Sequence, residues 1–243
     1  MSLPRFHVPD VVPGMARIVL PEHAAHHAHE VLRLRPGDSV RVFDGRGIEF
    51  EAIMDVVHRK EVAVLLGASV TPRPESPLRV TLAVAPLKGD RMELVIQKAV
   101  ELGVAEIRAV VTIRTDAAAR PALRGSRQER WEKVASGAAE QCGRAVVPEV
   151  LPTTTLDELL PAPFDGRRLV FLETPGIPGL PREPAPASVL LLIGPPGGFE
   201  EREVEAARAA GFEPASLGPR VLRTETAAVA ALTAAQLLWG DLG

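Results

Sequence analysis

From Leu78 onward, apolar residues gather into short uninterrupted runs that alternate with segments of helical period. Val80–Ala85, Ile107–Val111, Leu169–Leu172 and Val189–Ile193 predict buried strands. Between them, Met92, Val95, Ile96, Ala99 and Val100 recur at helical spacing, which predicts a helix over Arg91–Leu102 that stops at Gly103. Gln128–Cys142 repeats the pattern through Trp131, Val134, Ala135, Ala138 and Cys142 and ends at Gly143. A helix over Glu200–Ala210 places Glu200, Glu201 and Glu203 in its first turn, where the helix dipole favours carboxylates, and Gly211 closes it. The last helix, Thr226–Trp239, is rich in small apolar residues and has Thr224 or Glu225 as its expected cap. Strands alternating with helices predict an α/β domain with a largely parallel sheet.

The chain before Leu78 has a different texture. Val40–Phe43 and Ile48–Met54 flank Asp44-Gly45-Arg46-Gly47, a hairpin signal, and Val62–Leu66 adds another strand. Pro21–Leu32 reads as a helix, and Pro36-Gly37-Asp38 turns the chain back into the sheet. A small β-rich domain over residues 1–70, a proline-rich connector over 71–77 and an α/β domain over 78–243 are therefore expected. Within the latter, Pro175 to Pro186 forms a long proline-rich loop.

Hydrophobic residues make up 46% of the chain and charged residues 24%, so a packed core is expected and disorder is not. The net charge of −3 excludes an overall basic field, so nucleic-acid affinity must come from local patches. No run approaches the roughly 18 apolar residues of a membrane span, and Met1–Asp10 lacks an apolar signal segment; a cytoplasmic protein without membrane partners is expected. Cys142, the single cysteine, forms no internal disulfide.

Candidate chemistry lies in two C-terminal segments. Ile193-Gly194-Pro195-Pro196-Gly197-Gly198-Phe199 falls between a buried strand and a helix start, where open α/β sheets place ligands. It is no phosphate cradle, because the prolines withdraw amide donors and no Gly-Lys-Ser/Thr follows. On its own the segment serves equally well as an ordinary tight connection. Leu217-Gly218-Pro219-Arg220-Val221-Leu222-Arg223-Thr224-Glu225-Thr226-Ala227 alternates apolar residues with arginines and also ends at a helix start. Side by side, the two loops would form a pocket of backbone amides and carbonyls with Leu217, Val221 and Leu222.

The order strand, GPPGGF, acidic helix, short strand, LGPRVLRTETA, helix resembles the knotted C-terminal half of SPOUT methyltransferases. The chain is most similar to the small-subunit ribosomal RNA methyltransferase E family, through Arg5–Val8, His27–Asp38, Lys88–Val104 and Ala138–Arg144 as well. Two departures are Pro196, where that family usually has glutamate, and Thr115, where serine or a similar small polar residue is usual.

The resemblance implies a small PUA-like β-barrel domain followed by a SPOUT-type α/β domain with a deep trefoil knot. It implies S-adenosyl-L-methionine held by three loops: Leu172 and Glu173; Ile193, Gly194, Pro195, Gly197 and Gly198; and Leu217, Gly218, Val221, Leu222 and Thr224, with Ala227 beyond. It further implies methylation of uridine N3 in 16S rRNA of the small ribosomal subunit, by a homodimer whose first candidate contact faces are the helices at Arg91–Leu102 and Thr226–Trp239.

N3 methylation removes an imide proton while charge develops on the uracil carbonyl oxygens. Arg220 and Arg223 are candidates to stabilise that charge, and Glu225 either accepts the proton or caps the helix. Arg114, Glu140, Gln141 and Arg144 fall in family motifs that RNA could reach, and Arg5, Arg33 and Arg35 are expected phosphate contacts. Arg124, Arg127 and Arg130 add a basic run that suits RNA or a solvated helix face alike. His23 and His27 have the spacing of helical metal ligands, but no HExxH or companion cysteine or carboxylate set accompanies them, so no metal is expected. The competing functions are a SPOUT methyltransferase for another RNA nucleotide and a non-catalytic rRNA-binding assembly factor.

Overall fold

The computed structural model describes residues 3–59, 61–117, 119 and 127–243. The chain divides into two compact units, Met1–Glu75 with Ser136–Val147, and Ser76–Ala135 with Pro148–Gly243.

In the first unit, strands β1 (Arg5–His7), β2 (Arg17–Val19), β3 (Ser39–Phe43), β4 (Glu49–His58) and β5 (Glu61–Val70) form one sheet in the order β1-β3-β4-β5-β2. The Asp44 carboxylate builds the β3–β4 turn by accepting the N–H groups of Arg46 and Ile48, and Gly45 supplies φ 77°. The resulting register pairs Val40 with Ala52 and Val42 with Phe50, all on the buried face with Phe6, Met54, Val62 and Val64. β1 and β2, three residues each, are too short to show a period in the sequence. The helix expected over Pro21–Leu32 is a short α1 (Glu22–His26) that widens into a π-helical stretch, His27–Val31. It buries Ala24 and Ala28 and stops where Arg33 takes φ 53° and Leu34 N–H donates back to the Ala28 carbonyl.

Ser136–Val147 clusters with this unit, although the sequence reading assigns it wholly to the second domain. The cause is polar and nonlocal. The Arg5 guanidinium donates to the carbonyls of Ala139 and Arg144 at 3.0 and 3.1 Å. The His7 N–H donates to Glu140 Oε1, and the Ser136 hydroxyl meets His7 Nδ1, each at 2.8 Å.

The second unit holds a parallel sheet of β6 (Arg79–Val84), β7 (Glu106–Val111), β8 (Glu149–Thr155), β9 (Arg167–Phe171), β10 (Ser188–Ile193) and β11 (Glu213–Ala215) in the order β11-β9-β10-β6-β7-β8. Helix α2 (Arg91–Glu101) buries Met92, Val95, Ile96, Ala99 and Val100, the positions its period picks out. Helix α3 (Gln128–Cys142) buries Trp131, Ala135 and Ala138. On one face of the sheet, α4 (Leu156–Leu159) and α5 (Glu201–Ala209) pack Leu156, Leu159 and Ala207 against Ala83, Val110, Val170, Leu190 and Leu192. Alternate residues Val189 and Leu191 are equally buried, and α6 (Thr224–Trp239) packs on β6, β10 and α2. All six strands end at one edge of the sheet, from which the connecting loops rise.

Candidate active site

A cavity of about 400 Å³ opens at the carboxyl ends of β9, β10 and β11. Its walls are Leu172, Glu173, Thr174 and Pro175 after β9; Gly194, Pro195, Gly197, Gly198 and Phe199 after β10; and Leu217, Gly218, Arg220 and Leu222 after β11. Thr224 and Ala227 of α6, together with Phe171, Ile193, Val204 and Arg114, complete the lining.

The loop after β10 turns back on its own aromatic ring. A Cβ on Gly194 would lie 2.8 Å from the Phe199 ring, so any larger residue there would have to displace the ring. Gly198 sits at φ 68° and donates its N–H to the Pro195 carbonyl at 2.8 Å, while the space where its side chain would stand is open. Two side chains hold the loop by its carbonyls: the Thr224 hydroxyl donates to Gly194 at 3.1 Å and the Arg114 guanidinium to Gly197 at 2.9 Å. The first and third loops are joined in turn, as Leu172 N–H donates to the Ala215 carbonyl and Ser216 N–H to the Pro178 carbonyl.

Of the residues expected to hold a cofactor, Leu172, Glu173, Ile193, Gly194, Pro195, Gly197, Gly198, Leu217, Gly218, Leu222, Thr224 and Ala227 all line this one cavity. Val221 does not: it is 75% exposed, because the loop alternates and turns Arg220 and Leu222 inward instead. Thr224 is not a helix cap. Arg223 occupies the N-cap position of α6 without a side-chain cap bond, and Thr224 begins the helix with its hydroxyl already committed to Gly194. Arg220 lines the cavity, whereas Arg223 and Glu225 lie outside the lining. Glu225 does not cap α6 either, and one of its carboxylate oxygens, Oε2, is buried with no hydrogen-bond partner among the described residues.

The arginines expected to meet RNA separate into two groups. Arg33, Arg35 and Gln141 are exposed. Arg5 is not a free phosphate contact: its side chain is 8% exposed, ion-paired with Glu49 at 3.0 Å and committed to the carbonyls at the end of α3. Arg144 is likewise withdrawn from that role, since its side chain is 12% exposed and ion-paired with Glu75. Arg130 pairs with Glu93 and Asp90 on a solvated face, and Arg124 lies outside the described residues. His27 packs edge-on against Phe6 and His29 contacts Glu30, and among the described residues no group of His, Cys, Asp or Glu is arranged to hold a metal. No described helix is long and apolar enough to cross a membrane.

Sequence reasoning missed Phe171, Pro175, Phe199 and Val204, apolar wall residues that carry no chemical signal of their own. It also missed the buried polar cluster of the first unit, where Glu140, expected within reach of RNA, instead accepts the His7 N–H. Burial is the largest influence on both His7, whose pKa is lowered, and Glu140, whose pKa is raised.

A parallel α/β unit with a cavity at its carboxyl edge is an architecture shared by many enzymes, and comparison with known proteins narrows it. Residues 74–236 match the RNA methyltransferase domain and residues 20–66 the RNA methyltransferase PUA domain. The ribosomal RNA small subunit methyltransferase E of Synechocystis is 34% identical across 89% of this chain and 72% of its own. Two solved structures cover all of both chains. One is a methyltransferase from Legionella pneumophila in complex with bound SAM, at 36% identity and a TM-score of 0.92. The other is the ribosomal RNA small subunit methyltransferase E of Neisseria gonorrhoeae bound to S-adenosyl methionine, at 34% and 0.90. The chain belongs to this RNA methyltransferase family, whose curated relatives carry the name ribosomal RNA small subunit methyltransferase E.

Proposed function

We propose that the protein transfers a methyl group from S-adenosyl-L-methionine to uridine N3 in 16S rRNA of the small ribosomal subunit, in the cytoplasm and as a homodimer. The observation that carries this reading is the one cavity into which three separate loops, with the ends of β10 and α6, bring twelve expected cofactor residues. At about 400 Å³ it falls within the usual range of small-molecule sites. Its wall suits the cofactor: Leu172, Leu217 and Leu222 offer apolar surface to an adenine ring, and backbone groups of Gly194–Gly198 offer polar contacts. Bound there, the cofactor supplies an electrophilic methyl group.

The chain's own residues supply the rest. Arg220, on the cavity wall, stabilises negative charge on the uracil carbonyl oxygens, with Arg223 beside it on the same loop. Glu225, in the first turn of α6 and outside the cavity lining, has a carboxylate oxygen that no group among the described residues satisfies, and it is the candidate acceptor for the imide proton. Exposed Arg33 and Arg35 of the PUA-like domain, residues 1–70, contact phosphates, and Gln141 contacts RNA from the end of α3. A trefoil knot in the domain 78–243 is what the family resemblance implies, and the segments after β11 do touch the long loop between β9 and β10: Ser216 N–H donates to Pro178 and the Trp239 indole to Arg182.

Calorimetric titration with S-adenosyl-L-methionine and mass mapping of rRNA from a deletion strain test the reading together. Binding by the intact protein and loss of one uridine methylation are expected; absence of binding would reject the methyltransferase assignment. Arg223→Ala is expected to lower turnover more than cofactor affinity, and an equal fall in both would make Arg223 a binding residue.

A further inference from the structure

We propose that Arg114 is a positioning residue for the cofactor loop Gly194–Gly198, and that Glu203 sets it in place. The proposal rests on the cavity being the cofactor site.

The segment after β7 is fixed before it reaches Arg114. The Thr112 N–H donates to Thr115 Oγ1 at 2.8 Å, the two hydroxyls lie 3.1 Å apart, and both threonines are buried. Between them, Ile113 N–H donates to Glu203 Oε1 at 2.8 Å. Glu203 is itself buried, and its second oxygen accepts the Glu200 N–H at 2.9 Å as the capping box of α5. One carboxylate thus joins the loop after β7 to the first turn of the helix that follows the cofactor loop. Arg114 is held at the apex of this brace.

From there, its guanidinium donates to the Gly197 carbonyl, and its stem lies where a Cβ on Gly197 would come within 3.6 Å of Arg114 Cδ. Pro195 and Pro196 have no N–H to give, so the loop has little means of holding its own shape. Besides the Gly198-to-Pro195 turn bond, its carbonyls are secured by Thr224 on one side and Arg114 on the other. Arg114 also lines the cavity, so the charge-assisted bond acts at the wall that receives the ligand. The sequence motif, by contrast, suggests an RNA contact for this arginine.

The test measures S-adenosyl-L-methionine binding by calorimetry with no RNA present, so that an RNA contact could not influence it. Arg114→Met is expected to weaken cofactor binding about tenfold, the equivalent of one charge-assisted hydrogen bond. Arg114→Lys should recover part of that loss, Glu203→Gln should weaken binding in the same direction, and rRNA affinity in filter binding should stay unchanged. Hydrogen exchange supplies a readout that needs no ligand: the Gly198 amide should exchange faster in Arg114→Met, while amides of the first unit do not change. Wild-type cofactor affinity in Arg114→Met, or unaltered exchange at Gly198, overturns the proposal. If the wild-type protein itself fails to bind the cofactor, the functional reading falls, and the exchange measurement still decides the role of Arg114.

Discussion

At the scale of single residues, one hydroxyl joins two of the three loops that wall the cavity. Thr224 is 4% exposed and donates to the Gly194 carbonyl. Thr224→Val keeps the shape and removes the donor, a change worth about 1 kcal/mol for a neutral hydrogen bond. Cofactor binding is expected to weaken roughly fivefold, read by calorimetry. Unchanged affinity would show that the loop holds Gly194 without help. His7 acts in a different way. Burial holds its pKa below the ordinary 6.5, so the unfolded chain takes up a proton that the folded chain resists. Its contribution to stability is therefore complete above pH 6.5 and is lost as pH falls from there toward the lowered folded value. Thermal unfolding at pH 8 and pH 5.5 should show a larger drop for wild type than for His7→Gln, and equal drops would discount the histidine. Glycines of the cavity were legible in the sequence because their chemistry is local. The arginines were not, because an arginine's role depends on which distant carbonyl or carboxylate it meets: Arg5 and Arg144 share the residue type of Arg33 and Arg35 but are buried in ion pairs.

At the scale of elements, hydrophobic period identified those that bury a whole face. All five periodic positions of α2 are buried, and the apolar run of β10 is the centre of the sheet. Of the two edge strands, β8 escaped notice and β11 was expected only as the short strand of the family resemblance, because both contain proline. β8 carries Pro152 and β11 carries Pro214, residues that a central strand excludes and an edge strand tolerates, and the β7–β8 register shifts between Arg108 and Val110. The grouping of Ser136–Val147 with the first unit was equally hidden, since it rests on Arg5, whose partners lie far along the chain. Arg5→Met should therefore disturb more than a surface charge. Among the described residues it leaves the Glu49 carboxylate, 3% exposed, with only the Arg41 cation, at 3.7 Å, and a loss of about 3 kcal/mol is expected from denaturant unfolding. Combining it with Glu49→Gln should recover part of that loss, as removing both charges relieves the buried one. A strictly additive double mutant would show that the pair is not coupled.

At the scale of the whole molecule, α6 stands out as a helix almost without charge. Its only charged residue is Glu225, in the first turn. A helix with one face in water ordinarily carries charges along that face, yet here Thr226, Val229, Ala230, Thr233 and Leu237 are exposed or half-buried, with Leu237 at 54%. The apolar surface extends onto α2, which packs against α6 and leaves Leu94 45% exposed. Small residues along such a face allow close approach of another helix, in keeping with the homodimer proposed above, and a second chain would also bring donors toward the unsatisfied Glu225 oxygen. Wild-type protein should therefore sediment as a dimer at micromolar concentration. Ala230→Arg places a charge at the middle of the face and should yield a monomer with an unchanged circular dichroism spectrum and strongly reduced turnover. A wild-type monomer would reject the dimer. A monomeric Ala230→Arg with full turnover would instead show that one chain contains the complete site, leaving Glu225 without need of a partner.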